Sequence, residues 1–313
     1  MPDEPISSAK LVSVPEWHRQ LLDRTAANEL IWHYCSWKGL RGIIEKEVLW
    51  ASNARYLNDS REIVQSGILI EPYLTDTKHK ALRERMREIV SPHLVSEPLS
   101  VFVVSFSKAF DSLGQWRGYS GPGPSFSIGF KRLELKQIAS NRNFRLMDCA
   151  YDEDDIRNAV QETLGNVDAA RAASHVIKDG QQRLVSPGAG ANYMHGQFIE
   201  AQILAAQIKH YAFRDEKEVR LIGQRVESSS MVSPLDGKAF ERGSMIVPYV
   251  EVPIRSDTQT PPLPIDTILV GPTVHPELTI SVTKQLVGFL NGNISDARRR
   301  IKVEYTLIPY RNW

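Results

Sequence analysis

Apolar positions along this chain follow two periods, and their alternation marks out short helices and short strands. Pro15 to Asn28 reads as a helix, with Pro15 in its first turn and Trp17, Leu21 and Leu22 at helical spacing. Leu30-Ile31-Trp32-His33-Tyr34 is apolar and aromatic, the composition of a strand. Ser36 stands where an N-cap would, with Leu40, Ile43 and Ile44 at i, i+3 and i+4 behind it. Val48 to Ser52 returns to extended chain. Asp59 with Glu62 three residues on has the spacing of a capping box, for a helix burying Ile63, Val64 and Ile68 and ending at Pro72. Asp76 to Val90 is amphipathic: Leu82, Met86, Ile89 and Val90 face one way, Lys80, Arg83, Glu84 and Arg87 the other.

The β-branched run Ser100 to Ser107 predicts a buried strand, followed by the Gly/Pro-rich loop DSLGQWRGYSGPGP and strands at Ser125 to Phe130 and Phe144 to Tyr151. Asp152 to Phe213 changes character, first polar and helical, then strongly apolar at Phe198, Ile199, Ile203, Leu204 and Ile208. It reads as a helical insertion between two halves of one sheet. Strands resume at Lys217 to Ile222, Met245 to Val250, Ile265 to Val270 and Ile301 to Ile308, with a helix from Pro276 to Leu290 stopped by Asn291-Gly292. Short strands without regular βαβ alternation predict an α+β fold with a mixed or antiparallel sheet core. The expected organisation is a flexible tail over 1–13 and a single α+β domain over 14–313, with the helical insertion at 152–213.

Composition narrows the function classes. Among 313 residues, Lys+Arg 38 against Asp+Glu 37 leave a formal charge of +1, which provides no bulk field for nucleic acid or an acidic membrane. Two cysteines, Cys35 and Cys149, make neither a disulfide framework nor a CxxC site. A signal-peptide pattern and long apolar runs are absent from the sequence, so a cytoplasmic address and no membrane partner are expected. P-loop, HExxH, GxSxG and post-strand GxGxxG motifs are also missing, and the histidines have no metal-ligand spacing, so no metal is expected.

What remains is a set of polar residues oddly placed for a core. His33-Tyr34 ends an apolar strand, Ser105 and Ser107 bracket Phe106, and the QWRGY loop presents Trp116, Arg117 and Tyr119 together. Period two would align Glu216, Glu218 and Arg220 on one strand face. Each has an ordinary reading too: satisfied strand ends, exposed alternates, a stacked surface pair, a cross-strand charge ladder. Cys35 shares a face with His33, the arrangement a Cys–His nucleophile would need. Asn58-Asp59 with Glu62 reads as a turn and cap rather than a site.

The stretches WHYCSWKGLRGIIEKEVLWASNARYLNDSRE, SFS, QWRGY, SIGF, EKEVRLI, ILVGP and IPYR together resemble a bacterial family catalogued as domain of unknown function 2971, over residues of about 30 to 311. More distantly, the HY strand and the helix after it resemble the start of ADP-ribosyltransferase folds. That likeness implies NAD⁺ as substrate and no metal. It implies His33 on the ribose hydroxyls with Tyr34 beside it, and Tyr119 or Trp116 stacked on the nicotinamide, near Arg117. Ser105 and Ser107 would support the pocket, and Glu218 or Glu216 would stabilise an oxocarbenium-like ribose. Arg220 would hold a phosphate or pair the glutamate. The helical insertion stretches the usual spacing between the aromatic residue and the glutamate.

Two readings of function follow. The first is an NAD⁺-dependent ADP-ribosyltransferase-like enzyme or NAD⁺ glycohydrolase, a toxin or phage-defence effector, with a small nucleotide as ligand and a protein, a nucleic acid or water as acceptor. The second is a non-catalytic nucleotide- or protein-binding regulatory module. Convergence of His33, Ser105, Tyr119 and Glu218 on one concave pocket would favour the first, and scatter over the sheet the second.

Overall fold

The structure is a computed structural model, and it describes residues 14–57, 62–75, 79–91, 101–119, 123–178, 181–184, 189–224, 238–256, 263–292 and 294–309, with side chains omitted over 174–194. The tail over 1–13, the Asn58-Asp59 turn, and Tyr310 and Arg311 of the terminal IPYR lie outside the described residues.

The chain begins with α1 (Glu16–Ala26), β1 (Leu30–Ser36), α2 (Trp37–Lys46) and β2 (Val48–Asn53). Ser36 caps α2 by accepting from the Gly39 amide at 3.4 Å, and Leu40, Ile43 and Ile44 are buried as their spacing predicts. Next come α3 (Glu62–Ile70), α4 (Lys80–Val90), β3 (Val101–Ser107), α5 (Leu113–Tyr119), β4 (Ser125–Lys131), α6 (Arg132–Ser140) and β5 (Phe144–Asp148). The long middle section holds α7 (Glu153–Ser174), the hairpin of β6 (His175–Lys178) and β7 (Gln181–Leu184), and α8 (Ala189–Gln207). The chain closes with β8 (Glu218–Gln224), β9 (Ala239–Arg242), β10 (Met245–Pro253), β11 (Ile265–Val270), α9 (Pro276–Gly292) and β12 (Lys302–Tyr305).

Ten strands form one mixed, open sheet in the order β5-β8-β3-β1-β4-β11-β12, with β2-β10-β9 branching from β3. The β11–β12 pair is parallel and the other pairs are antiparallel. Strand β3 carries β8 along its whole length. Its other edge is shared: β1 pairs at Ser107 and β2 at Phe102 and Val103. The sheet therefore forks around Val104 to Phe106.

One face of the sheet packs against α2, α6 and α9, with Leu40, Ile44, Leu135 and Val287 over Phe106, Ile128 and Val219. The other face carries a helical layer of α3, α4, α7 and α8 over Val101, Val103 and Ile222. The 153–207 helices are thus half of a continuous layer shared with α3 and α4, although they interrupt the chain between the paired strands β5 and β8. Among the described residues no helix is long and apolar enough to cross a membrane.

Four local expectations change. QWRGY is the short helix α5 rather than loop, because Gln115 and Trp116 turn inward where an irregular strand of backbone could not be satisfied. Helix α6 and strand β9 are additional to the sequence reading, as are β6 and β7, which pair inside the stretch expected to be helical. Ile68, expected in the core, is 67% exposed, and Leu22 is exposed too. Glu216 lies in a 3₁₀ turn (Tyr211–Glu216), so β8 begins only at Glu218.

Candidate functional site

The fork in the sheet creates the site. Where β1 and β2 part, the carbonyl of Ser105 has no strand partner on that edge, and the His33 imidazole fills the gap with Nδ1 2.9 Å from it. A carbonyl only accepts, so Nδ1 carries the proton and Nε2 holds the lone pair. Burial lowers the imidazole pKa against the raising effect of that hydrogen bond, which keeps the ring neutral. Trp32, His33 and Tyr34 of β1, Ser105 and Phe106 of β3, Gln115 and Tyr119 of α5, and Glu216 and Glu218 line a common pocket of about 70 Å³. Trp32 reaches its wall position because Gly129 opposite has no side chain; a Cβ there would meet the indole at 2.9 Å.

Behind Glu218 lies a buried charge network. Arg220 grips Glu218 with two hydrogen bonds of 2.9 Å, from Nε to Oε1 and from Nη2 to Oε2. Its remaining donors reach the Ala206 carbonyl at 2.6 Å and the Glu62 carboxylate. Lys209 donates to Glu218 and to Glu216, both at 2.7 Å. Tyr151 accepts from the Glu218 amide at 2.8 Å. Glu218 is 5% exposed, and burial alone would raise its pKa; Arg220 and Lys209 outweigh that and hold it at about 2. Burial likewise opposes the charge on Lys209, and Glu218 restores it, leaving the ammonium pKa raised. Three carboxylates, Glu62, Glu216 and Glu218, face two cations, Lys209 and Arg220, so the fully ionised network keeps one excess negative charge.

Glu216 joins this network by a route other than the expected pleat. Lys217 takes a left-handed conformation at φ 45°, which turns Glu216 back toward Lys209. Glu216 is the more accessible of the two pocket carboxylates, and Lys209 is its one ion-pair partner among the described residues.

The other residues singled out in the sequence divide into wall and framework. Tyr119 lines the pocket, and burial together with Glu216 and Glu218 pushes its phenol up to about 12. Tyr34 also lines it, but its hydroxyl is engaged, donating to the Ala109 carbonyl at 2.8 Å and accepting from the Ser112 amide at 3.2 Å. The Ser107 hydroxyl ties the Glu216 carbonyl at 2.5 Å to the Ala109 amide at 2.9 Å. Trp116 is buried away from the pocket lining, its indole N–H held by Asp111 at 2.8 Å, so it offers no face for stacking. Arg117 is exposed on α5 and is not among the pocket-lining residues. Arg220 is fully buried, its donors committed to Glu218, Glu62 and Ala206, which leaves no fork for a phosphate. Burial pushes the Cys35 thiol up to about 12, the opposite of an activated nucleophile.

Residues 115–221 match the family model DUF2971, described as a protein of unknown function. The DUF2971 match runs from α5 through β8, so it takes in Gln115, Tyr119, Lys209, Glu216, Glu218 and Arg220 and stops short of β1. A search of the curated proteins finds no match.

Three members of this arrangement escaped the sequence reading. Lys209 was visible as a single cation in the apolar run AQILAAQIKHYAF, a placement that requires a buried acid nearby. Glu62 looked like a capping residue, yet its carboxylate turns inward to Arg220. Gln115 carried no signal beyond its neighbours. Among the described residues no group of three or more His, Cys, Asp or Glu could hold a metal ion. Chemically, the pocket offers a neutral imidazole acceptor, aromatic walls and two carboxylates, Glu216 and Glu218, on its floor, groups that can stabilise a ligand carrying or developing positive charge.

Proposed function

We propose that the protein cleaves the nicotinamide–ribose bond of NAD⁺, as an ADP-ribosyltransferase-like enzyme or an NAD⁺ glycohydrolase. The observation that carries this reading is the meeting of His33, Tyr119, Glu216 and Glu218 in one pocket, from chain positions far apart. In this reading nicotinamide leaves as a neutral base while positive charge builds on the ribose, the Glu216 and Glu218 carboxylates stabilise that charge, and the oxygen of water or of an acceptor nucleophile bonds to the same carbon and gives up its proton. The Nε2 lone pair of His33 accepts from a ribose hydroxyl, and Tyr119 packs against the base. An ADP-ribosyltransferase-like fold is part of the same proposal, supported by the forked sheet in which the HY strand β1 and the acidic strand β8 flank β3 on opposite edges. At about 70 Å³ the pocket is smaller than ordinary small-molecule sites of roughly 300–1,000 Å³, so most of the dinucleotide would lie beyond its rim.

Purified protein incubated with NAD⁺, with and without cell lysate, tests it by nicotinamide release. Wild type should release nicotinamide, and Glu216→Gln or Glu218→Gln should slow it by on the order of a hundredfold or more. Glu216→Gln is the cleaner variant because Glu216 is the less buried of the two. No release in either condition would sink the catalytic reading.

One observation favours a second reading, a nucleotide-binding module without turnover. Both oxygens of Glu218 already hold charge-assisted hydrogen bonds from Arg220 and Lys209, which ties the carboxylate into a fixed scaffold. Saturable NAD⁺ binding without nicotinamide release would select it.

A further inference from the structure

One polar side chain in the pocket at the fork is left unengaged. Gln115, on α5, lines that pocket and is 7% exposed. Among the described residues its amide makes no hydrogen bond, and neither its oxygen nor its nitrogen is sealed from outside access, unlike the orphaned amide oxygens of Gln197 and Gln207. Its neighbours in the lining are committed. The Tyr34 hydroxyl holds Ala109 and Ser112, His33 Nδ1 holds the Ser105 carbonyl, and both Glu218 oxygens hold cations. Buried polar groups are nearly always paired, so an open amide in a cavity wall is suited to a group that enters the cavity.

The backbone that carries Gln115 is fixed. Trp116, the next residue, is pinned by its indole N–H to Asp111 at 2.8 Å and by its amide to the Ser112 carbonyl at 3.0 Å. Its ring stands edge-on to Tyr34, with centroids 4.8 Å apart. Helix α5 is therefore anchored through Trp116 while Gln115 faces the pocket.

A glutamine amide presents a donor and an acceptor side by side, and its full complement is a second donor–acceptor edge. A primary carboxamide is the smallest such edge. A carboxylate has no donor, and it would share the pocket with Glu216 and Glu218. A purine edge has both functions, but a pocket of about 70 Å³ suits one small end group better than a fused ring.

We infer that Gln115 is the specificity-determining residue of this pocket, and that it selects ligands bearing a primary carboxamide over the corresponding ketone or acid. Its Nε2 donates to the ligand carbonyl and its Oε1 accepts from the ligand N–H. On the reading of this pocket as the nicotinamide site, on which this rests, the nicotinamide carboxamide is the group that Gln115 reads.

Calorimetry on the full chain compares nicotinamide and NAD⁺ with their acetylpyridine counterparts, in which a methyl replaces the amide NH₂, and with nicotinate; adenine is a separate arm. Wild type should bind the amides at least about tenfold more tightly than the ketones, because a ketone leaves Gln115 Oε1 without its donor. Gln115→Met, similar in length and lacking the amide, should bind amide and ketone alike. Gln115→Asn, which draws the amide back by one carbon, should lose most of the preference too, and it decides if Gln115→Met does not fold. A purely structural Gln115 would lower both affinities together and keep their ratio, which would overturn the inference. Equal binding of amide and ketone by wild type, adenine binding more tightly than nicotinamide, or no binding of any amide would overturn it as well. Nicotinamide release with an unchanged ratio in Gln115→Met would remove the inference and keep the NAD⁺ reading, whereas a Gln115-dependent ratio without release would keep the inference and remove turnover.

Discussion

Two buried acids anchor this molecule, Asp111 and Glu218, and they are satisfied in opposite ways. Asp111 sits in a left-handed turn (φ 47°) and is met mostly by neutral donors: the Trp116 indole at 2.8 Å, the Leu307 amide at 3.1 Å and the Thr306 hydroxyl, with His18 Nε2 at 3.6 Å. These partners come from α1, α5 and the chain after β12, so Asp111 ties three remote segments together. Glu218 is met by two full cations and shares them with two other carboxylates. Neutral donors fix a position. Cations fix a charge state as well, and of the two acids Glu218 lines the pocket while Asp111 does not. The contrast separates an acid that serves architecture from one whose ionisation is available to a ligand.

The largest expected effect comes from removing a cation. Arg220→Met leaves Glu218 and Glu62 buried with their main partner gone, and urea unfolding should show a loss of about 3–5 kcal/mol. Converting Glu62, Glu218 and Arg220 together to Met should recover most of that, because an apolar cluster of similar volume carries no stranded charge. That triple variant should fold and release no nicotinamide, so it separates stability from chemistry. A triple variant as unstable as Arg220→Met would mean that the network is architecture, as at Asp111.

Asp111→Ala comes next. It strands the Trp116 and Thr306 donors without stranding a charge, so the loss should be about 1–3 kcal/mol by the same measurement. A loss equal to that of Arg220→Met would erase the distinction between the two acids.

The difference between these regions also explains what the sequence made legible. Helix α2, strands β1, β2, β3 and β11, and the core face of α4 follow from local period and capping, because their burial is set within a few residues. Helix α5 was hidden by its glycines, and its helicity depends on burying Gln115 and Trp116 against distant elements. His33, Glu216 and Glu218 were legible as polar residues in apolar settings. Arg220 was legible too, as a partner for Glu218 on the same strand face. Glu62 and Lys209 were not: the helical layer brings Glu62 to Arg220 and Lys209 to Glu218, and no local pattern encodes those contacts. Ile68 shows the same limit from the other side, an apolar residue at core spacing left on the surface.

His33 supplies a pH test. Its folded pKa lies below the ordinary 6.5, with burial as the first cause, so the unfolded chain binds more protons below that pH. The stability it contributes is therefore present above pH 6.5 and is lost as pH falls from there through the lowered folded value. His33→Asn keeps a donor for the Ser105 carbonyl and has no titrating group, so its Tm should fall less steeply on acidification over that window. Glu218 acts lower: held at about 2 against an ordinary 4.5, its contribution is present above pH 4.5 and disappears as pH falls toward 2. A His33→Asn profile parallel to wild type between pH 6.5 and 4.5 would show that the imidazole is protonated in the folded state.

The smallest expected effect concerns how Glu216 is brought alongside Glu218. A pleated strand would align them at i and i+2, whereas here the left-handed Lys217 does so. Left-handed backbone costs a residue with a Cβ about 1 kcal/mol, and glycine escapes that cost. Lys217→Gly should therefore leave stability within about 1 kcal/mol of wild type, with any change tending toward gain, and should leave nicotinamide release intact because the Lys217 amide still donates to the Arg214 carbonyl at 3.0 Å. Were the two carboxylates aligned by strand pleat instead, glycine would weaken the strand by roughly 0.5–1 kcal/mol. The sign of a sub-kilocalorie change in urea midpoint thus tells the turn from the strand, and with it whether Glu216 belongs to the charged cluster by construction.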